Sequence, residues 1–160
     1  MEEKPKRIVT TLQAIEKVKR YCAMAEHCQE DVRQKLKSYD VDNDKIESII
    51  CDLIAEKYID ELRYATAFVK GKTNIKSWGK LKIINELKKK KISQKCIDMA
   101  LGNISETDFL QKMDILAKKW LKTHQNEPQN QIKQKLFRFL YSKGYSPDEI
   151  WNFLNKTNFL

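Results

Sequence analysis

The sequence predicts an all-α fold: three tandem three-helix modules in an elongated, curved array. One apolar pattern carries most of that prediction. From Leu36, apolar residues stand at −4 (Val32), +5 (Val41), +10 (Ile46) and +14 (Ile50). The same offsets from Leu87 give Ile83, Ile92, Ile97 and Leu101, and from Leu140 they give Leu136, Tyr145, Ile150 and Leu154. The residue at +6 is Asp42, Ser93 or Ser146, each of a type that favours a helix N-cap. Finally, no run shows strand-like alternation, and four glycines and three prolines in 160 residues leave few sharp turns. Copies 51 and 53 residues apart describe an array of helical units rather than a fold built around one pocket. Function is expected on surfaces.

The elements follow in order. A helix at about 10–26 has Leu12, Ile15, Val18, Tyr21 and Ala25 as its apolar positions. In each copy, positions −4 and 0 share one helix face and +10 and +14 share a face of a second helix. The +5 residue sits at the turn, and the +6 cap satisfies N–H groups that the second helix would otherwise leave unpaired. The third copy is fullest: Gly144 can end one helix, then Ser146-Pro147-Asp148-Glu149 supplies a cap, a proline at the first helical position and a capping-box glutamate. Lys91 and Asp40 stand where Gly144 stands, so those turns use less permissive residues. Further on, Tyr58, Ile59, Ala65 and Val69 align with Phe109, Leu110, Leu116 and Trp120, which predicts longer helices at about 60–72 and 105–124. The modules are placed at 8–58, 59–104 and 105–160. Units of this size are marginal alone and are expected to lean on each other or on a partner.

Composition excludes several classes. No 18-residue apolar stretch could span a membrane, and the N-terminus, Met-Glu-Glu-Lys-Pro-Lys-Arg, is polar, so the chain reads as cytoplasmic. Cys22, Cys28, Cys51 and Cys96 show no CxxC spacing, and only His27 and His124 could assist them. Reduced thiols in or near a core are the reading, with no metal and no cofactor. There is no glycine-rich phosphate loop, nucleophile elbow or HExxH. The acidic pairs Asp60-Glu61 and Asp148-Glu149 fall at helix starts, where carboxylates favour the dipole. The chain is not expected to be an enzyme.

Charge is concentrated. Lys70, Lys72, Lys76, Lys80, Lys82, Lys88, Lys89, Lys90 and Lys91 face one acid in the same segment, Glu86, and together carry eight of the nine formal net positive charges. Such a field attracts polyanions and speeds their association. Solubility alone needs no such segregation. Tyr64 and Trp78 flank the lysines, but aromatic residues at helical spacing read as core before they read as base-stacking platforms.

A family resemblance emerges from the residues themselves. Glu56-Lys57-Tyr58-Ile59-Asp60-Glu61-Leu62-Arg63-Tyr64-Ala65, followed by Phe68-Val69, resembles the central signature of the RecX family of recombinase regulators. Trp78-Gly79, Ile83, Glu86-Leu87 and Ile92 downstream, and Glu30-Asp31-Val32-Arg33-Gln34-Lys35-Leu36 upstream, resemble its further motifs. So do Leu140-Tyr141-Ser142-Lys143-Gly144-Tyr145 and Ile150 near the end. Three positions depart: Glu61 for the second Asp, Lys57 at a usual Gly, and Lys91 for the Gly before Ile92.

The resemblance implies a three-module helical protein that binds the RecA filament on single-stranded DNA. It implies inhibition of ATP hydrolysis, strand exchange and co-protease activity, which restrains recombinational repair and the SOS response. A monomer is expected. Lys88, Lys89, Lys90 and Lys91, with Lys80 and Lys82, are the expected electrostatic contact, helped by Arg63, with Lys70, Lys72 and Lys76 in the same field. For Arg63 the competing role is an ion pair with Asp60 or a neighbouring acid, and for Asp60 it is a cap. The alternative is a helical protein that binds single- or double-stranded DNA without sequence preference. Lysines without arginine in the basic segment argue against base readout. A structural adaptor for acidic helical partners is a third reading.

Overall fold

A computed structural model describes residues 9–126 and 128–156. Among these residues the chain is all-α, with nine helices: α1 Thr11–Met24, α2 Gln29–Ser38, α3 Asn43–Ala55, α4 Glu61–Lys76, α5 Lys80–Lys89, α6 Gln94–Leu101, α7 Glu106–Thr123, α8 Gln129–Ser142 and α9 Pro147–Lys156. Residues 8, 127 and 157–160, which the sequence assigns to the outer modules, and the polar N-terminal stretch 1–7 lie outside the described residues. Contacts divide the chain into two compact units, Met1–Tyr64 and Ala65–Leu160, and the division falls inside α4.

The repeat is the core. Every residue of the threefold apolar pattern is buried except Leu101, the last residue of the short α6, whose neighbour Ala100 is buried instead. The first unit closes around Val32, Leu36, Val41, Ile46 and Ile50, joined by Ala14, Val18 and Cys22 of α1. In the second unit, Met113 and Ala117 of α7 pack with Leu136, Leu140, Tyr145, Ile150 and Leu154 of α8 and α9. Each such Leu or Ile contributes about 1.5–3 kcal/mol by leaving water.

The long helices share a simpler stripe, with buried residues one turn apart: Ala14-Val18-Cys22 in α1 and Phe109-Met113-Ala117 in α7. The alignment of Ile59 with Leu110 is therefore wrong. Ile59 is buried ahead of α4, whereas Leu110 lies within α7 and is 45% exposed. Both segments are apolar, and periodicity alone does not separate a pre-helical turn from a helix interior.

Caps mostly follow expectation. Ser93 accepts from Cys96 N, and Ser146 and Glu149 form the reciprocal pair, with Ser146 N donating to Glu149 Oε2 at 2.6 Å and Glu149 N to Ser146 Oγ at 3.2 Å. Asp42 is the exception. It occupies the N-cap position of α3 without accepting from its backbone, because its carboxylate pairs with Lys45 at 2.7 Å. The three equivalent turns all use positive φ: Asp40 57°, Lys91 59° and Gly144 96°. Two of the three place an L side chain in the region that glycine occupies at least cost.

Candidate partner-binding surface

The lysine run does not form one face. Lys70, Lys72 and Lys76 project from α4, and the helix ends as Ser77 turns to φ 51°. Half-buried Trp78 then packs edge-on against Phe68, with ring centroids 6.4 Å apart. Lys72 and Lys82 lie over the Trp78 ring at 4.9 and 4.7 Å. Trp78 thus holds two of the candidate cations against the fold, in keeping with a packing role for this aromatic.

The start of α5 is anchored by a backbone interlock. Gly79 N donates to Lys143 O at 2.8 Å and Leu81 N to Gly144 O at 3.0 Å, while Lys82 Nζ donates to Ser142 O at 3.1 Å. The donor-rich N-terminus of α5 thereby meets the acceptor-rich C-terminus of α8, and each end satisfies groups the other leaves unpaired. Tyr145 adds a bond from its hydroxyl to Ser77 O at 3.0 Å. Both glycines are sterically required. A Cβ on Gly79 would stand 2.4 Å from the Gly144 carbonyl carbon, and one on Gly144 would stand 2.3 Å from Lys82 Cβ. Lys80 is also engaged, paired with Glu106 at the start of α7 and lying over the Phe109 ring.

The other end of α5 gathers the remaining lysines. Lys88 and Lys89 occupy its last turn, where cations favour the dipole, and Lys90 is the C-cap. Lys91 completes a left-handed turn: its N–H donates to Lys88 O at 2.9 Å and Ile92 N to Leu87 O at 3.1 Å. Lys88, Lys89 and Lys91 are exposed and Lys90 is half-buried. Lys89 pairs with Glu86 at 2.7 Å, and this hydrogen bond holds the Glu86 carboxyl below the usual carboxylate range. At 1.5 Å per residue, Lys80 and Lys88 are roughly 12 Å apart along the helix. The structure therefore brings Lys88–Lys91 together and sets Lys80 at the opposite end of α5, while Lys82 and Lys72 act with Lys89 on the Glu86 carboxylate.

Arg63 belongs to the other unit. Its Nε donates to Glu26 Oε1 at 2.6 Å and its Nη2 to the Lys57 carbonyl at 3.1 Å, tying the segment after α1 to the turn before α4. Asp60 instead accepts the Arg63 backbone N–H at 2.7 Å, the cap role, so the acid that pairs with Arg63 is Glu26. Sequence reasoning missed Gly79 and Tyr145 as partners across the second unit, since nothing in the pattern links residues more than 60 positions apart. Scarcity of glycine was the one available signal.

No helix among the described residues is long and apolar enough to cross a membrane, and no three His, Cys, Asp or Glu among them converge as a metal site. Fold and surface define a helical protein of three-helix units whose most prominent feature is a cationic helix end.

Its family is shown by comparison. Family models for RecX match twice: the second three-helix domain over residues 60–101 and the third over residues 106–154. The chain belongs to the RecX family. It is 32% identical over 129 residues to a Regulatory protein RecX of Streptococcus uberis, covering 80% of this chain and 49% of that protein. It is 36% identical over 129 residues to that of Clostridium tetani, covering 78% and 58%. It thus spans about half the length of the curated relatives it matches. A crystal structure of RecX from Lactobacillus salivarius shares the fold, with a TM-score of 0.78 at 24% identity over 93% of this chain and 97% of that one. A crystal structure of a regulatory protein RecX aligns with a TM-score of 0.83 at 25% identity, over 91% and 73%.

Proposed function

We propose that this chain regulates the RecA recombinase by binding its filament on single-stranded DNA, and that it restrains ATP hydrolysis, strand exchange and co-protease activity. The effect is to temper recombinational repair and the SOS response. Family membership supports the role, and the observation that carries the contact is the Lys88–Lys91 cluster at the end of α5, exposed at Lys88, Lys89 and Lys91. The chain acts by binding, without a catalytic step, in the cytoplasm where recombinase and DNA are found. Three modules, at 8–58, 59–104 and 105–160, spread weak contacts over adjacent protomers, so that their sum exceeds any one of them. Lys88, Lys89, Lys90 and Lys91 face acidic protein surface or DNA phosphates. Lys80 and Lys82 contribute less than the sequence suggests, being engaged by Glu106 and by the Ser142 carbonyl. Arg63 acts mainly by holding its own unit together.

The test is co-sedimentation with recombinase filaments on single-stranded DNA, comparing the chain with its Lys88→Glu, Lys89→Glu, Lys90→Glu, Lys91→Glu variant. Reversing four charges at a polyanionic contact is expected to weaken binding about tenfold or more, since like-charge juxtaposition costs several kcal/mol. Circular dichroism reports whether helicity is preserved. Filament binding equal to that of the parent would remove these lysines from the interface. Binding to naked DNA with no added affinity for the filament would favour the sequence-blind nucleic-acid reading, for which concentrated lysine charge is the supporting feature.

A further inference from the structure

A second surface of the Ala65–Leu160 unit has a chemistry that the lysine cluster lacks. Along α8, Lys133, Phe137 and Tyr141 follow one another at single-turn spacing and so share one face. Phe137 and Tyr141 are stacked, with planes 11° apart and centroids 6.4 Å apart. Trp151 of α9 extends the surface sideways, its ring 5.1 Å from Phe137, with Lys133 Nζ 5.9 Å from the Trp151 centroid. Phe137 is half-buried and packs on the core, which anchors the group. Tyr141 and Trp151 are 54% and 47% exposed. That degree of exposure sets them apart from half-buried Trp78, whose ring carries two lysines at 4.9 and 4.7 Å where Trp151 carries one at 5.9 Å.

Contiguous exposed rings mark an interaction site, and the surrounding charge identifies the partner. The sequence of α8 contains Lys133, Lys135 and Arg138 and no carboxylate, and Lys143 follows as its C-cap. On α9, Glu149 is taken up by the Ser146 cap, and Asp148 sits in the first turn, where the helix dipole favours it. Flat rings on a cationic helix are the combination that binds single-stranded nucleic acid: the cations track the phosphates and the rings stack on unpaired bases.

We infer that Phe137, Tyr141 and Trp151 form a base-stacking platform for single-stranded nucleic acid, with Lys133 and Arg138 holding the phosphates. The platform rests on α8 and α9 alone and is independent of the filament reading. Its ligand is an unpaired strand, because a duplex keeps its bases stacked on each other.

The experiment is fluorescence anisotropy of labelled oligothymidylate against an abasic strand of equal length, at one fixed salt concentration, with the full chain. The chain is expected to prefer the base-bearing strand by about tenfold or more, a difference that phosphate contacts cannot produce. Tyr141→Ala and Trp151→Ala are each expected to remove most of that preference while leaving abasic-strand affinity unchanged, with helicity checked by circular dichroism. Equal affinity of the parent chain for the two strands overturns the inference without recourse to any variant. It is also overturned if both variants keep the full preference. Weakened filament binding by the variants, with oligothymidylate binding unchanged, would assign the surface to a protein partner and overturn it as well.

Discussion

Asp40, Lys57, Ser77 and Lys91 all hold positive φ, between 51° and 62°. A left-handed L residue costs about 1–2 kcal/mol, partly offset because glycine loses more freedom on folding. Lys91→Gly is therefore expected to raise stability by about 1 kcal/mol or less, read as a higher urea midpoint at unchanged slope. Arg33 gives a second test at this scale. Its Nε and Nη2 donate to Glu47 at 2.6 and 3.0 Å and its Nη1 to Glu30 at 2.8 Å, joining α2 to α3. The hydrogen bond from Arg33 lowers the Glu47 carboxyl from its ordinary value of 4.5. A depressed carboxylate stabilises the fold above that ordinary value, and the contribution is lost as pH falls through the lowered one. Arg33→Gln is expected to flatten the loss of stability in that acid range, as measured by urea titrations at stepped pH. Single residues were partly legible in the sequence. The turns at Asp40 and Lys91 could be located by matching them to Gly144, whereas the failure of Asp42 as a cap could not, because it depends on where Lys45 reaches.

The decisive contact between elements is the meeting of the α5 N-terminus with the turn between α8 and α9. Backbone groups of Gly79 and Leu81 use the carbonyls that α8 leaves open, and the approach is too close for any side chain. Gly79→Ala is expected to destabilise the protein by about 1–3 kcal/mol, as overpacking does, with a lower urea midpoint. Gly102→Ala, whose added Cβ would stand no closer than 3.4 Å to a neighbour, serves as the control and should change much less. The helices themselves were readable because burial repeats at the helical period, and all but one of the patterned residues are buried. The interlock was not readable, since backbone-to-backbone contacts between distant turns leave no periodic trace. The misalignment of Leu110 arose similarly, from matching apolar residues with no knowledge of where a helix begins.

For the whole molecule, the formal charge of +9 resolves into groups with different roles. Lys72, Lys80 and Lys82 are engaged with rings, Glu106 and the Ser142 carbonyl, Lys89 pairs with Glu86, and Lys88, Lys89 and Lys91 are all exposed at a helix end. Counting charge along the chain found the segment but could not sort it. The aromatic group of α8 and α9 is not legible in the sequence, because exposure, not residue type, distinguishes it from core. Family membership gives these surfaces a common context, and the filament reading makes a quantitative demand on them. A regulator that acts through a cooperative filament need not occupy every protomer. The central claim is tested most directly by ATP hydrolysis of recombinase from the same organism on single-stranded DNA, with this chain titrated from substoichiometric amounts. Inhibition well below one molecule per protomer is the predicted result. Unchanged hydrolysis at stoichiometric amounts, with naked-DNA binding intact, would contradict it.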